Sequence, residues 1–132
     1  MRCDHRAMIA AHEFVDRWAR AWNAHDLEAV LAQFTDDAEF SSPVAAQLLP
    51  GSDGVVRGKE ALRAYWAEGL RRIPDLHFEV LGHYEGVGIL VINYRNQIGR
   101  LVNEVLLLDA DGLATRGYGT YLGEAENPAG AR

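Results

Sequence analysis

Apolar residues in the first part of the chain recur at three- and four-residue spacing, which predicts a helix with one buried face. The residues on that face are Met8, Ala11, Val15, Trp18 and Trp22. The pattern ends at "NAHD", where the carboxylate of Asp26 is suited to accept hydrogen bonds from the free N–H groups at the start of a second helix, "DLEAVLAQF". Two helices in succession are therefore predicted before the first strand.

The middle of the chain predicts a strand, a loop and a third helix. The stretch "TDDAEFSS" is typical of a turn followed by a short strand. Residues 44–58, which include Pro50 and several glycines, are expected to form a surface loop. The next stretch, "GKEALRAYWAEGLRRI", has a helical pattern. Its expected buried side consists of Leu62, Tyr65, Trp66, Gly69, Leu70 and Ile73.

After Pro74 the hydrophobic period changes to two, which predicts strands. Four are expected, "LHFEVLGHY", "VGILVINYRNQ", "RLVNEVLLLD" and "LATRGYGTYL", joined by the tight turns "EGVG", "QIGR" and "DADG". Connections this short make neighbouring strands antiparallel. Helices followed by such a meander indicate an α+β fold. We expect a single domain over residues 1–132, with its core at about 8–122 and a frayed tail at 123–132.

Composition narrows the classes of function. The net charge of −6 argues against non-specific nucleic-acid binding, which requires clustered Lys and Arg. The chain has no run of about 18 apolar residues, and its first residues lack the apolar segment of a secretory signal. We therefore expect no membrane partner and no export. The single cysteine, Cys3, cannot form an internal disulfide, which fits a reducing cytoplasm.

The motifs predict neither a metal nor a cofactor. The histidines have no ligand spacing such as HxH or HExxH. The chain also lacks a glycine-rich phosphate loop at a strand-to-helix junction and a GxSxG nucleophile elbow. Any reaction would therefore be cofactor-free.

The order helix–helix–strand–helix–four strands is similar to the ketosteroid-isomerase-like cone fold. This superfamily also includes nuclear-transport-factor, SnoaL-like polyketide-cyclase, scytalone-dehydratase and limonene-epoxide-hydrolase proteins. "WNAHDLEAVLAQFTDDAEF" resembles its helix-turn-helix entry, "GKEALRAYW" its third helix and "LLLDADGLATRGYGTYL" its final hairpin. The resemblance implies a cone-shaped barrel of a strongly curved, mainly antiparallel sheet, with three helices from the N-terminal half packed on its concave side. It is specific for fold more than for function, because this fold hosts many chemistries.

Carried over position by position, the resemblance leaves one acid at the working positions of the isomerase. The proton-shuttling aspartate falls on Ser42, and the two helical tyrosines fall on Trp18 and Trp66. Only the acid of the oxyanion hole is kept, as Glu104. A serine, whose pKa lies far above 7, cannot serve unaided as a general base, so steroid isomerisation by that route is not expected.

The strand "RLVNEVLLL" is largely apolar on both faces. Val102, Glu104, Leu106 and Leu108 share one face, which the resemblance assigns to the concave, pocket side. The other face also needs a cover, which in this family is commonly a second copy of the sheet. A homodimer through the convex sheet face is therefore expected.

The neighbouring strand supplies polar side chains whose direction depends on register. If the turn "QIGR" is centred on two residues, Asn93 lies opposite Glu104, and Arg95 shares its face. A slip of one residue would turn Asn93 and Arg95 outward and bring in Tyr94 and Asn96. On the last strand, the same logic places these residues on the pocket side: Thr115, Gly117, Gly119 and Tyr121.

Each candidate residue has a functional and a structural interpretation. Glu104, the candidate catalytic residue, would have a raised pKa in apolar surroundings and act as a general acid or base. Paired with Arg95, it would instead have a lowered pKa and a structural role. The aromatic residues either line a cavity or form plain core, and the glycines either widen the cavity or relieve crowding. The candidate ligand-binding residues are Trp18, Trp22, Ser42, Tyr65, Trp66, Asn93, Arg95, Val102, Gly117 and Tyr121.

Two classes of function follow from these residues and from the resemblance. The first is a cofactor-free isomerase, cyclase or dehydratase that acts on a small hydrophobic molecule, with Glu104 transferring the proton. The second is a non-catalytic ligand-binding or accessory protein of the same fold. The substrate cannot be read from the sequence, because the shape of the pocket depends on residues 44–58, which have no regular pattern.

Overall fold

The structure is a computed structural model that describes the backbone of residues 5–123 and the side chains from residue 10 onward. The described residues form four helices: α1 (His5–Asn23), α2 (Leu27–Leu31), α3 (Pro43–Leu48) and α4 (Lys59–Arg72). They also form six strands: β1 (Phe34–Ser41), β2 (Val55–Arg57), β3 (Glu79–Gly86), β4 (Ile89–Arg95), β5 (Leu101–Leu108) and β6 (Ala114–Tyr121). Of the tail predicted to fray, residues 124–132 lie outside the described residues.

The strands form one open, curved sheet in the order β2-β1-β6-β5-β4-β3. Neighbouring strands are antiparallel except for β1 and β6, which are parallel. The helices pack against this sheet, with α1 on β3 and α4 on β1 and β2. The predicted α+β cone and its C-terminal meander are therefore confirmed.

The ends of the first two helices are fixed by side chains that the sequence makes available. The carboxylate of Asp26 accepts a hydrogen bond from the N–H of Ala29 at 3.2 Å, which confirms the predicted cap of α2. At the end of α1, the carboxamide of Asn23 donates to the carbonyl of Phe78 (2.9 Å) and accepts from its N–H (2.8 Å). This pair of bonds fixes Phe78, just before β3, against the first helix.

The segment between α2 and α4 is more regular than the sequence predicts. β1 begins at Phe34 and includes the "TDD" predicted as a turn. Residues 44–58 are not a simple loop, because they contain most of α3 and all of β2. The hydroxyl of Ser42 accepts a hydrogen bond from the N–H of Ala45 at 3.1 Å, with Pro43 in the first turn, so α3 begins at this serine. Elements of six and three residues are too short to show a period, which is why the pattern missed them.

The loop between β4 and β5 has three residues inside its closing pair. The N–H of Asn96 donates to the carbonyl of Arg100 at 3.0 Å. The carboxamide oxygen of Asn96 also accepts from the N–H groups of Ile98 (3.2 Å) and Arg100 (2.9 Å). Gly99 has a φ of 81°, a conformation that suits glycine in three-residue hairpin loops.

This loop shifts the register of β4 by one residue from the two-residue turn, so the predicted pairing is wrong. Ile92 lies opposite Glu104, and Asn93 lies opposite Asn103. Because side chains alternate along a strand, the shift turns Asn93 and Arg95 to the convex face. Tyr94 takes their place on the concave face, as the alternative register implied.

The core lies between α1, α4 and the concave face of the sheet. Its large, fully buried side chains are Trp18, Val30, Leu31, Phe34, Leu62, Leu90, Ile92, Val102 and Leu106. The indole of Trp18 stacks on the ring of Phe78 at 5.5 Å and meets Tyr94 edge-on at 5.2 Å. This cluster closes the inner part of the cone and leaves space nearer to α3 and α4.

Candidate functional site

A partly open cavity of about 310 Å³ lies between the concave face of the sheet, α4 and the loop from Asn96 to Arg100. Its lining is mainly aromatic and aliphatic, with Trp66 in contact with three other rings. The ring centres of Trp22, Phe34 and Phe40 lie 5.3–5.5 Å from that of Trp66, all in edge-on arrangements. Such packing gives the cavity fixed, apolar walls.

Glu104 is the only carboxyl among the described residues that line this cavity. It projects from the middle of β5 and is 4% exposed. The hydroxyl of Tyr94 on β4 is hydrogen-bonded to its carboxyl, and Tyr94 is itself buried. The site therefore contains an acid and a phenol that face the same apolar space.

Burial controls the protonation of this pair. It raises the pKa of Glu104 from its usual 4.5 to about 8, and the hydrogen bond from Tyr94 acts in the opposite direction but is the smaller effect. Burial, with the charge of Glu104 adding to it, also raises the pKa of Tyr94 well above its usual range. Both groups are thus protonated at neutral pH; the O–H of Tyr94 is donated to Glu104, which leaves the O–H of the Glu104 carboxyl available to donate to a ligand.

Two more tyrosine hydroxyls belong to the site. The hydroxyl of Tyr65 lies 3.5 Å from that of Ser42, and burial is the main reason that the pKa of Tyr65 is raised. Burial also raises the pKa of Tyr121 to about 12. These hydroxyls are protonated at neutral pH and offer hydrogen bonds without charge. Ser42, which falls at the position of the isomerase base, acts here as the cap of α3.

Arg100 adds a positive charge to the cavity. Its guanidinium carbon lies 4.5 Å from the centre of the Tyr121 ring, which is a cation–π contact. Among the described residues that line the cavity, it is the only basic one. The site therefore combines apolar walls, an uncharged carboxyl and a stacked guanidinium.

The structure brings together some of the residues predicted for the site and separates others. Those that line the cavity are Trp22, Ser42, Tyr65, Trp66, Glu104 and Tyr121. Trp18 (0% exposed) and Val102 (2% exposed) lie in the core and do not line it. Gly117 makes room for a side chain, because a Cβ at this position would lie 2.9 Å from the ring of Phe40. The predicted open space at Gly117 is therefore filled by the protein itself.

Asn93 and Arg95 lie on the convex face, away from the cavity. The carboxamide of Asn93 donates to that of Asn103 at 2.8 Å. The guanidinium of Arg95 lies 3.7 Å from the exposed carboxylate of Glu79. The predicted ion pair between Arg95 and Glu104 is therefore wrong, and this arginine does not lower the pKa of the buried acid.

The last strand follows the prediction only in its second half. Gly119 and Tyr121 line the cavity. The pairing of β5 with β6 shifts register beside Leu107, where the hydroxyl of Thr115 donates to the carbonyl of Leu107 at 3.2 Å. This irregularity places Ala114, which is fully buried, on the inner face in place of Thr115.

Sequence reasoning did not propose Phe40 or Arg100 for the site and placed Tyr94 there only in the alternative register. The sequence does contain a pattern that predicts the positions of Arg100 and Tyr94. An Asn followed three residues later by a Gly, as in Asn96 and Gly99, is typical of a three-residue hairpin loop with glycine in the left-handed conformation. With this loop, the side chain of Tyr94 points into the cavity, and β5 begins directly after Arg100.

Two further observations concern other kinds of site. No helix within residues 5–123 is long and apolar enough to cross a membrane. In the same part of the chain, no three His, Cys, Asp or Glu side chains are grouped as metal ligands.

Residues 15–103 of the chain match the SnoaL-like domain family. A SnoaL-like protein of unknown function from Burkholderia thailandensis superposes with a TM-score of 0.82 at 41% sequence identity, over 92% of this chain and 100% of that one. A protein of unknown function with a cystatin-like fold from Methylobium petroleophilum superposes with a TM-score of 0.69 at 15% identity, over 87% of this chain and 77% of that one. The second likeness shows the fold alone. No curated protein matches the sequence.

Proposed function

The chain belongs to the SnoaL-like domain family, and from this premise we propose that it binds a small, largely apolar molecule beside Glu104. The observation that carries the proposal is a protonated carboxyl inside an aromatic cavity. The cavity volume of about 310 Å³ falls in the range of small-molecule pockets. Proteins of this fold family generally bind small hydrophobic ligands.

A buried carboxyl is costly, which supports a role in function. Burying a polar group without full hydrogen bonding destabilises a protein, and within the described part of the chain Tyr94 is the one side chain that lowers the pKa of Glu104. An apolar residue at this position would fill the same space at lower cost. Acids with raised pKa values in clefts are frequent at functional sites.

As an enzyme, the protein would use Glu104 to move a proton without a cofactor. With a pKa of about 8, roughly a tenth of the carboxyl is ionised at pH 7. The carboxylate can take a proton from a carbon next to a carbonyl group, while the electron pair moves onto the carbonyl oxygen. The carboxyl then returns the proton to another carbon, and the carbonyl re-forms. This chemistry suits an isomerase and, with a leaving group or a second carbonyl, a dehydratase or cyclase.

A non-catalytic ligand-binding or accessory role is the second candidate, and one observation favours it. The other titratable side chains that line the cavity are Arg100 and three tyrosines with raised pKa values, Tyr65, Tyr94 and Tyr121. None of these can accept a proton near neutral pH. A reaction in which Glu104 is the acid and a second group is the base therefore lacks that base among the described side chains of the cavity.

Hydrogen exchange on bound ketones distinguishes the two candidates. Cyclic aromatic ketones are incubated with the protein in D2O, and deuterium uptake next to the carbonyl is followed by NMR. Catalysis by Glu104 requires uptake that is lost in Glu104→Gln and retained in Glu85→Gln, a control at an exposed position. Uptake that persists in Glu104→Gln rules out proton transfer by this residue. Binding of ketones without uptake supports the accessory role.

We also propose that two copies pair through the convex face of the sheet. Tyr84, Val91, Val105 and Tyr118 form a cross-strand row on this face, one residue from each of four neighbouring strands. Tyr84 is 70% exposed, and the other three are half-buried. Ile89 and Leu107 extend the row as a second apolar pair. A second copy of the same apolar row is the simplest cover for it.

A further inference from the structure

The guanidinium of Arg100 is held at the cavity in a setting that suits an anionic group. Its carbon lies 4.5 Å from the centre of the Tyr121 ring, and its Nε is shielded from water. A guanidinium stacked on a ring and partly removed from water loses little hydration when it binds an anion. Its hydrogen bonds to a carboxylate are charge-assisted and can form in parallel pairs.

The loop that carries Arg100 is ordered by its own hydrogen bonds. The carboxamide oxygen of Asn96 accepts from the N–H groups of Ile98 and Arg100, and Gly99 closes the turn. The loop therefore needs little further ordering when a ligand binds. A guanidinium has five N–H donors, so Arg100 can bind a carboxylate alongside its other contacts.

The charge of Arg100 does not act to ionise the buried acid. Burial and the hydrogen bond from Tyr94 determine the pKa of Glu104, and no basic side chain among the described residues contributes. At neutral pH an anion in the cavity therefore meets a guanidinium and an uncharged carboxyl rather than two opposite charges. The two groups differ in what they can recognise: Arg100 an anion, and Glu104 with Tyr94 a carbonyl or hydroxyl oxygen.

Resting on the proposed function, we propose that the ligand is an apolar, ring-bearing carboxylic acid whose carboxylate is bound by Arg100. Its ring system lies against Trp22, Phe40 and Trp66, and a carbonyl or hydroxyl group on it reaches Glu104. The cavity volume of about 310 Å³ lies at the lower end of the range of small-molecule pockets. A bicyclic aromatic acid fits such a space.

The test compares an acid with its uncharged amide of nearly the same shape. Naphthoate and naphthamide are titrated into the full-length protein by isothermal calorimetry. The same titrations are made with Arg100→Gln, with Arg100→Lys and with the control Arg95→Gln. Arg95 is the matched control, because it lies on the same hairpin but points to the convex face near Glu79. Circular dichroism melts check that each variant is folded.

We expect the native protein and Arg95→Gln to bind naphthoate about tenfold or more tightly than naphthamide, as expected for a charge-assisted hydrogen-bonded pair. Arg100→Gln should bind the two alike, and Arg100→Lys should keep part of the preference. If Arg100→Gln does not fold, Arg100→Lys and the native comparison decide the question. Equal affinities in the native protein, or a preference that survives in Arg100→Gln, would overturn this inference alone. Failure of both acid and amide to bind would overturn the proposed function and this inference with it.

Discussion

The hydroxyl of Tyr94 and the carboxyl of Glu104 are hydrogen-bonded across β4 and β5, although neither residue is the direct partner of the other. Tyr94 lies opposite Val102, and Glu104 lies opposite Ile92, so the two are diagonal neighbours on the concave face. Diagonal contact is within reach of a tyrosine side chain, and it leaves the carboxyl turned toward the cavity. The apolar surroundings therefore raise the pKa of Glu104, and the hydrogen bond from Tyr94 offsets only part of this rise.

The pH dependence of stability should reveal the buried carboxyl. Glu104 has a folded-state pKa of about 8 against a usual value of 4.5, so the folded protein retains a proton that the unfolded chain releases between these values. The stability linked to this group is fully present below pH 4.5 and is lost as pH rises to about 8, by about 1.4 kcal/mol for each unit between the two pKa values. Glu104→Gln lacks this loss. In urea denaturation, the stability of Glu104→Gln relative to the native protein should rise between pH 5 and pH 9, whereas that of Glu85→Gln should stay constant.

Removal of the phenol hydroxyl should raise the pKa of the acid further. The hydrogen bond from Tyr94 lowers the pKa of Glu104, so Tyr94→Phe removes the one opposing effect while keeping the ring. In Tyr94→Phe, the loss of stability with rising pH should then continue to a higher pH than in the native protein. Tyr84→Phe, which changes an exposed tyrosine on the convex face, is the control and should leave that range unchanged. A range that moves down in Tyr94→Phe would contradict the assigned hydrogen bond.

A larger residue at Gly117 should destabilise the protein, because Phe40 occupies the space above this glycine. A Cβ at this position would lie 2.9 Å from the Phe40 ring and 3.1 Å from a methyl group of Leu106. Gly117→Ala should therefore destabilise the protein by about 1–3 kcal/mol, as overpacking does. Gly82 on β3 is the control, since a Cβ there meets nothing within 4 Å. Gly82→Ala should be neutral or stabilise by up to about 1 kcal/mol in the same denaturation assay.

These residues also show what sequence can and cannot predict. α1, α4 and the four strands of the meander are long enough to repeat their period, so their type and order were readable. α3 and β2 have six and three residues and gave no period, although the pair Ser42 and Pro43 is a typical helix start. Their absence from the prediction left the wall of the cavity formed by Val44 and Leu48 undefined.

The prediction of the candidate site depended on the length of the β4–β5 loop, and it was off by one residue. The resemblance, rather than the two largely apolar faces of β5, decided the face on which Glu104 was expected, and this residue was placed correctly. The side chains around it were not, because one more residue in the loop at Asn96 exchanges Asn93 and Arg95 for Tyr94. Of the two interpretations that the sequence left open for Glu104, the pair with Arg95 is ruled out, and the acid is hydrogen-bonded to a phenol. This difference selects the raised pKa of Glu104 over the lowered one that a pair with Arg95 would give.

The proposed dimer should depend on the row of residues on the convex face. A lysine at position 105 would put a charge at the centre of the apolar row, next to Val91 and Tyr118. Val105→Lys should therefore be monomeric at micromolar concentration in size-exclusion chromatography with light scattering, while the native protein is dimeric. Val87→Lys, in the fully exposed β3–β4 turn, makes the same chemical change outside the row and should remain dimeric. A native protein that is monomeric under these conditions would rule out the dimer.

The most direct test of the account is a titration of the Glu104 carboxyl itself. The side-chain carboxyl carbons of glutamate are followed by ¹³C NMR between pH 4 and pH 10, and Glu104→Gln identifies the signal. We expect this carbon to titrate with a midpoint near 8, while the carboxyl remains protonated at pH 7. A midpoint near 4.5 would show that Glu104 is ionised at neutral pH and would contradict the uncharged acid on which the proposed function depends.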